Sequence, residues 1–284
     1  MSAPKVILVT GSSTGFGRHL VENILSDGNI AVATLRKPSA IDDLKAQFGE
    51  DRLLVLPLDV TKPSDITNAF ARVKEVYGRC DAVISNAGFS AVAEAEATTD
   101  RVIRDMFDVN VHGPIELSKQ SVAFFREQNP TPGGHFVSIS SMAGISVTPG
   151  TSVYAATKHA IEAYTEALGQ ELDPTWNIKV TSICPSLFRT NVVNNSPALP
   201  PHPAYTSPTL PSNYLRGMVK ASASGQFGAD PVKGAKAILG VMAREGPAPV
   251  RVPLGDPTID GFRKKAGELK LEADEWEELA RSME

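Results

Sequence analysis

Residues 10–17 read Thr-Gly-Ser-Ser-Thr-Gly-Phe-Gly, a glycine-rich stretch with the spacing G-x-x-x-G-x-G. It follows the apolar run 5–10 and opens a segment with helical periodicity at 15–26. Glycines permit a tight turn and let a ligand approach the backbone, while the start of the helix offers free N–H groups to a pyrophosphate. A strand, a glycine turn and a helix in this order are typical of a dinucleotide-binding βα unit, and a purely structural loop is the alternative for the turn taken alone.

The same alternation of strand and helix continues along the chain. The predicted strands are 5–10, 30–35, 52–57, 82–85, 135–140 and 178–184, and the predicted helices are 15–26, 63–77, 101–127 and 153–171. Brief, continuously apolar strands are typical of a parallel sheet covered on both faces. The sequence therefore predicts an α/β fold with one open, doubly wound parallel sheet and helices on both of its faces.

The pattern changes after the sixth predicted strand. Residues 186–226 contain six prolines and no clear periodicity, and a long irregular segment of this kind is usually functional. A helix at 231–244, a strand at 250–252 and a charged helix at 258–283, which carries Trp276, complete the chain. We therefore predict one catalytic domain over residues 1–284, with residues 186–226 inserted as a substrate-binding lid.

Composition excludes several classes of protein. The net charge is −4, whereas proteins that bind nucleic acids usually carry an excess of basic residues, so the composition does not indicate nucleic-acid binding. No run approaches the roughly 20 apolar residues of a membrane span, and the N-terminus has no signal-like apolar stretch. Cys80 and Cys184 lie in no metal-binding spacing. We expect a cytoplasmic protein with no metal, no membrane span and no nucleic-acid partner.

The glycine turn also fits a second motif. Gly11 to Gly15 matches G-x-S-x-G, the strand-to-helix turn that carries the nucleophile of serine hydrolases, and Ser13 would be that nucleophile. A triad would also need a histidine later in the chain. His159 and His202 follow the turn at a distance, but neither has an evident acidic partner. A serine hydrolase therefore stays a less favoured alternative.

A tyrosine and a lysine are spaced for one face of a helix, at Tyr154 and Lys158. A free phenol has a pKa near 10, and a nearby ammonium stabilises the phenolate and lowers that pKa. Such a pair is suited to general acid/base catalysis at neutral pH.

Together with the glycine turn, this pair makes the chain resemble the short-chain dehydrogenase/reductase family, in its NADPH-dependent carbonyl reductase branch. Further matches occur in the expected order: Leu58-Asp59-Val60, Asn86-Ala87-Gly88, Asn110, Ser141, and Pro185 to Thr190, where Ser186 replaces a glycine. The resemblance implies a Rossmann fold and reversible hydride transfer between a nicotinamide cofactor and a carbonyl or alcohol.

The resemblance also implies a role for each matching residue. Tyr154 would exchange a proton with the substrate oxygen, and Ser141, with Ser140 as the neighbouring alternative, would hold that oxygen. Lys158 would lower the pKa of Tyr154 and bind the ribose, and Asn110 would hold a water that relays protons. The implied cofactor contacts are Gly11, Ser13, Thr14, Gly15, Phe16, Gly17, Asp59, Asn86, Ala87, Gly88, Tyr154, Lys158, Pro185 and Thr190.

Structural roles are open for three of these residues. Asp59 could cap a turn before Thr61, because aspartate side chains bond to backbone two residues further on. Asn86 could tie two strands together instead of touching a ligand. Asn110 could mark a kink in its helix.

The residues after the second strand predict the cofactor. Residues 33–37 contain no acid that would bond a ribose 2′-hydroxyl, whereas Arg36 offers a planar fork to a 2′-phosphate, with Thr34 and Lys37 nearby. NADP(H) is therefore favoured over NAD(H), and with it carbonyl reduction, unless Arg36 and Lys37 are only solvated loop charges.

The substrate and the assembly are less directly encoded. The lid contains Phe188, Leu199, Tyr205, Leu210, Tyr214, Leu215 and Met218. An apolar lid suits a small hydrophobic ketone, aldehyde or alcohol. Helices 101–127 and 153–171 carry more apolar surface than one sheet needs, which predicts a homodimer or a homotetramer. A non-catalytic dinucleotide-binding regulator is the alternative function.

Overall fold

The protein is built on a seven-stranded parallel sheet. The computed structural model describes residues 3–190, 197, 199–223 and 227–283. Its strands are β1 Val6–Thr10, β2 Ile30–Leu35, β3 Leu53–Pro57, β4 Ala82–Ser85, β5 Gly134–Ile139, β6 Ile178–Pro185 and β7 Arg251–Leu254. All pairs are parallel, in the order β3-β2-β1-β4-β5-β6-β7. The predicted doubly wound α/β sheet is confirmed.

Helices connect the strands across both faces of this sheet. They are α1 Gly15–Ser26, α2 Asp42–Lys45, α3 Pro63–Tyr77, α4 Asp100–Phe107, α5 Gly113–Ala123, α6 Ser152–Glu171, α7 Pro211–Ala223, α8 Pro231–Met242 and α9 Asp256–Arg281. The continuous helix predicted over 101–127 is wrong in detail, because π-helical turns at Asp108–His112 and Phe124–Gln128 follow α4 and α5. The short helix α2 was not predicted.

Alternate residues of each strand enter two separate cores. Ile7 and Val9 of β1 pack on one face with residues of α1 and α8, including Leu20 and Ile238. Val6 and Leu8 pack on the other face with residues of α3 and α5 and with the phenylalanines 124 and 125. Since β1, β2 and β4 place apolar residues on both faces, their runs of sequence are almost continuously hydrophobic, which is the signal that predicted a parallel sheet.

The order of the strands creates a crevice beside the glycine turn. The connections from β1 lead outward to β2 and β3, whereas β4, β5 and β6 continue on the other side of β1. In open α/β sheets, ligands bind where the order reverses, at the carboxyl ends of the strands. The turn that follows β1 therefore lies at this reversal.

The lid prediction covers residues 186–226, of which 191–196, 198 and 224–226 lie outside the described residues. The rest is less irregular than its prolines indicate, because α7 occupies Pro211–Ala223. Proline is tolerated at the first position of a helix, where its missing N–H has no partner to lose. Within the described part of the chain, no helix has the length and apolarity needed to cross a membrane.

Candidate active site

The glycine turn between β1 and α1 takes a conformation that needs its glycines. Gly11 and Gly15 have φ angles of 70° and 57°, in the left-handed region that favours glycine. A Cβ on Gly17 would lie 2.2 Å from the carbonyl oxygen of Gly11, so only glycine allows α1 to begin so close to the turn. Gly17 therefore allows the first turn of α1 to pack against the backbone of Gly11.

Asn86 holds the glycine turn against the end of β4. Its Nδ2 donates to the carbonyl oxygen of Thr10 at 2.8 Å and to that of Gly11 at 3.3 Å. In return, the backbone N–H groups of Asn86 and Ala87 donate to Thr10 Oγ1, at 2.9 and 3.0 Å. The structural role that the sequence left open for Asn86 is present, and it fixes the floor of the crevice.

A cavity of about 1240 Å³ runs along the carboxyl ends of the strands. Most of the predicted site residues line it: Gly11, Ser13, Thr14, Gly15, Phe16, Arg36, Asp59, Asn86, Ala87, Gly88, Ser141, Tyr154, Lys158, Pro185 and Thr190. Gly17, Lys37 and Asn110 do not line it. The cavity therefore joins the glycine turn, the end of β2 and the Tyr154 region in one continuous space.

The Tyr154 hydroxyl lies against Ser141. Burial raises the pKa of Tyr154 above its ordinary value, and a hydrogen bond with Ser141 acts in the opposite direction. Ser141 also accepts a hydrogen bond from the backbone N–H of Ala143 at 3.1 Å, which caps the turn that follows β5. The Oγ of the neighbouring Ser140 is buried without a partner among the described residues. Of the two serines, Ser141 is the one that meets Tyr154.

Lys158 lies one helical turn beyond Tyr154 and is buried. Its Nζ donates to the carbonyl oxygen of Ile139 at 2.9 Å and lies 5.8 Å from the centroid of the Tyr154 ring. Burial lowers the pKa of Lys158 to about 8, and the nearby carboxylate of Glu162 opposes that change. Burial is the larger influence on the pKa of Tyr154, and the lowering of that pKa by Lys158 stays a prediction.

Asn110 lies in the π-helical turn after α4, with 1% of its surface exposed. Its Nδ2 donates to the carbonyl oxygen of Phe89 at 2.8 Å and to Thr157 Oγ1 at 3.1 Å. Its Oδ1 accepts from the N–H of Phe89 at 3.1 Å. A Cβ on Gly88 would lie 3.2 Å from Asn110 Oδ1 and 3.8 Å from Lys158 Nζ, so glycine keeps the space between these two side chains open.

At the end of β2, Arg36 is exposed and lines the cavity. Thr34, which the sequence placed near a phosphate, is fully buried and donates to the carbonyl oxygen of Val9 at 3.1 Å. Thr34 is therefore a structural residue, since the alternation of side chains along β2 points it into the core.

Asp59 Oδ1 accepts hydrogen bonds from the N–H and Oγ1 of Thr61, so the predicted turn cap is present in a residue that also lines the cavity.

The lid reaches the cavity through α7 and is joined to the domain by an ion pair that the sequence did not predict. Leu215, Met218 and Val219 of α7 line the cavity. Beside them, Arg216 donates to both carboxylate oxygens of Glu94, at 2.6 and 2.9 Å. No local signal could have paired two residues that are 122 positions apart.

Of the apolar lid residues named from the sequence, Phe188, Leu215 and Met218 line the cavity, whereas Tyr214 is 70% exposed.

Comparison with known proteins identifies the family. The sequence model of the short chain dehydrogenase family matches residues 5–199. The chain belongs to this family. The oxidoreductase calM of Penicillium decumbens is 32% identical over 264 residues, which cover 91% of this chain and 86% of that relative.

Two further proteins are similar over most of their length. The 3-ketodihydrosphingosine reductase of Bacteroides thetaiotaomicron is 30% identical, over 89% of this chain and 88% of that relative. The crystal structure of a short-chain dehydrogenase from Streptomyces avermitilis has a TM-score of 0.88 and 34% identity, with full coverage of both chains. The protein is thus a short-chain dehydrogenase/reductase that acts on alcohols or carbonyls with a nicotinamide dinucleotide.

The geometry of this short-chain dehydrogenase also bears on the hydrolase alternative. Ser13 lines the cavity, but neither His159 nor His202 is among the described residues that line it. The ring of His159 bonds to the backbone of its own helix at Ala155, and His202 packs edge-on against Tyr205. The described residues therefore bring no histidine to Ser13, which a Ser-His-Asp triad requires.

Proposed function

We propose that the protein is an NADPH-dependent reductase of apolar ketones or aldehydes, of the carbonyl reductase type, with Tyr154 as its general acid. The observation that carries the proposal is the setting of the Tyr154 hydroxyl, which is bonded to Ser141 and lies one turn from the buried Lys158. Because burial raises the pKa of Tyr154, the phenol keeps its proton at neutral pH. A protonated phenol is the form that carbonyl reduction consumes.

The roles of the residues follow from this setting. Ser141 and Tyr154 both donate hydrogen bonds to the carbonyl oxygen, and Tyr154 gives its proton to that oxygen as the carbon is reduced. NADPH, when bound, supplies the hydride. The Lys158 ammonium stabilises the phenolate that remains on Tyr154, and Tyr154 regains its proton by way of Lys158. Asn110 borders the space beside Lys158 and Gly88, and we assign to it the water that returns a proton to Lys158.

The cavity fits a nicotinamide dinucleotide with a 2′-phosphate. The glycine turn leaves the N-terminus of α1 open to a pyrophosphate. From β2, which Arg36 follows, to β5, which Ser141 follows, the cavity crosses three strand spacings, about 14 Å. Arg36 has no ion-pair partner among the described residues, so its guanidinium is available to a phosphate. The absence of an acid at the end of β2 favours NADPH over NADH.

The substrate end of the cavity is mainly apolar. Its walls include Val92, Val102, Leu215, Met218 and Val219. A site of this kind favours a hydrophobic carbonyl compound, with the few polar groups near Tyr154 setting its orientation. The similarity to a 3-ketodihydrosphingosine reductase is consistent with an apolar ketone. We propose that residues 186–226 form a lid within a single catalytic domain, 1–284, and that the apolar faces of α5 and α6 pair in a homodimer or homotetramer.

A cofactor and substrate panel tests the function. The purified protein is incubated with NADPH or NADH and with ketones and aldehydes of increasing alkyl length, and the nicotinamide absorbance is followed. We expect oxidation of NADPH, with kcat/KM rising with chain length and NADH used poorly. Tight NADPH binding without turnover of any carbonyl would favour a regulator. Ester hydrolysis without a cofactor would favour a hydrolase acting through Ser13.

A further inference from the structure

The last helix, α9, projects from the rest of the protein. Every residue from Leu269 to Met283 is exposed, and the large apolar side chains of Leu269 and Trp276 are 52% and 57% exposed. Only the start of the helix is packed: Thr258 is fully buried, and Gly261 lies against Met142 and Ser146. An isolated helix of about four turns is marginally stable in water, so an exposed apolar stripe of this length calls for a partner.

The stripe on α9 has the spacing of a coiled-coil seam. Apolar residues recur at alternating intervals of four and three, with large and small side chains in turn: Phe262, Ala266, Leu269, Ala273, Trp276 and Ala280. A repeat of this kind places all six on one face, where a second helix can interdigitate with them. Leu271 is 70% exposed and lies on the opposite face of the helix.

Charge along α9 is segregated by sign. Residues 261–270 contain four basic residues and one acidic residue, whereas residues 271–280 contain five acidic residues and no basic one. Two such helices attract each other when they run antiparallel and repel each other when they run parallel. The acidic half also disfavours an anionic membrane surface, which attracts basic amphipathic helices.

We propose that α9 pairs antiparallel with α9 of a second copy of this chain, about a two-fold axis that crosses the stripe midway between Leu269 and Ala273. In this arrangement Trp276 of one copy lies opposite Ala266 of the other, Leu269 opposite Ala273, and Phe262 opposite Ala280. Each large side chain meets a small one, and each basic half meets an acidic half. A parallel pair would place Trp276 against Trp276 and alanine against alanine. The interface is self-complementary, as a two-fold axis requires, and is separate from any pairing of α5 or α6.

Two leucines on α9 provide a matched test of the interface. Leu269→Glu introduces a charge into the stripe, and Leu271→Glu introduces the same charge on the opposite face. Sedimentation equilibrium measures the mass of each, with far-UV circular dichroism and NADPH binding as checks on folding. We expect Leu269→Glu to halve the assembly mass of the wild type and Leu271→Glu to retain it. A wild-type mass for Leu269→Glu, or an equal loss in both variants, would overturn the proposal.

Cysteine crosslinking tests the orientation. Cys80 and Cys184 are fully buried, so only an introduced surface cysteine is accessible for disulfide formation between chains. Chains with Arg263→Cys are mixed with chains with Glu277→Cys and oxidised. We expect a disulfide between the two different chains in the mixture and little crosslinking of either variant alone. Crosslinking of each variant to itself would show a parallel pair and overturn the arrangement. Cosedimentation with anionic vesicles, lost in Leu269→Glu while its mass stays that of the wild type, would assign the stripe to a membrane surface.

Discussion

Arg216 of α7 forms a bidentate ion pair with the carboxylate of Glu94 through both of its terminal nitrogens. The Arg216 side chain is 15% exposed and that of Glu94 is 3% exposed. Glu94 also accepts a hydrogen bond from Ser212 Oγ at 2.9 Å and one from the backbone N–H of His202 at 3.2 Å. These contacts hold the pKa of Glu94 well below its usual range. Since Leu215 and Met218 are neighbours of Arg216, the ion pair sets where the lid meets the cavity.

Glu94→Gln should release the lid while leaving the reacting groups intact. Removing one partner of a buried pair leaves the other charge uncompensated, which costs about 3–5 kcal/mol. We expect KM for an apolar substrate to rise more than tenfold with a smaller change in kcat, and faster proteolysis near α7. Glu96→Gln is the matched control, because Glu96 bonds to the Tyr205 hydroxyl at an exposed site. A lower kcat with unchanged KM in Glu94→Gln would contradict the role of this ion pair in positioning the lid.

Tyr154→Phe removes the proposed proton donor and keeps the ring. We expect kcat for carbonyl reduction to fall by roughly 10²-fold or more, because a positioned general acid contributes about that much. NADPH binding, measured by fluorescence titration, should be retained. Tyr164→Phe is the control on the same helix, since its hydroxyl bonds to Ser118 away from the cavity. Turnover of Tyr154→Phe at the rate of the wild type would rule out Tyr154 as the acid.

Arg36→Ala should weaken NADPH binding and leave NADH binding unchanged. A charge-assisted hydrogen bond to phosphate contributes roughly 1.5–3 kcal/mol, so Kd should rise about ten- to a hundredfold. Lys37→Ala removes the adjacent charge from a side chain that does not line the cavity, and we expect it to have little effect. Kd values for both cofactors are measured by calorimetry. Equal losses for NADPH and NADH in Arg36→Ala would show that the guanidinium does not read the 2′-phosphate.

Local patterns were sufficient to predict the sheet and the loops that carry the site. The strands are continuous apolar runs, and the glycines of residues 11–17 act through their own backbone angles and immediate packing. The direction of a side chain is harder to predict: Thr34 was expected near a phosphate and is buried in the core, and Lys37 is not among the residues that line the cavity. The alternation of side chains along β2 points Thr34 into the core. Lys37 lies beyond the end of β2, where no such alternation predicts the direction of a side chain.

Longer-range interactions explain what the sequence did not predict. Helix α7 contains Pro211 and Gly217, which disfavour a helix prediction, and its contact with Glu94 depends on a residue 122 positions away in the sequence. The raised pKa of Tyr154 likewise follows from burial, which the spacing of Tyr154 and Lys158 does not reveal. The motif identifies the reacting groups, whereas the fold determines their protonation.

Glu162 lies one turn beyond Lys158 and should control the pH range of the reaction. It is 3% exposed and accepts hydrogen bonds from Ser182, from Cys184 Sγ at 3.4 Å and from Arg251 Nε at 2.8 Å. Its negative charge raises the pKa of Lys158, against the burial that lowers it to about 8. Glu162→Gln removes that charge, so the pKa of Lys158 should fall further.

The sign of the effect follows from the ammonium that stabilises the Tyr154 phenolate. If the pKa of Lys158 is lower, Lys158 loses its proton earlier as the pH rises. The alkaline loss of carbonyl reduction should therefore begin at a lower pH. We expect the alkaline limb of kcat/KM in Glu162→Gln to move down by a shift on the order of one pH unit. Glu166→Gln is the matched control, because Glu166 also pairs with Arg251 but is not among the groups that shift the pKa of Lys158. An upward shift, or equal shifts in both variants, would mean that Glu162 does not act through Lys158.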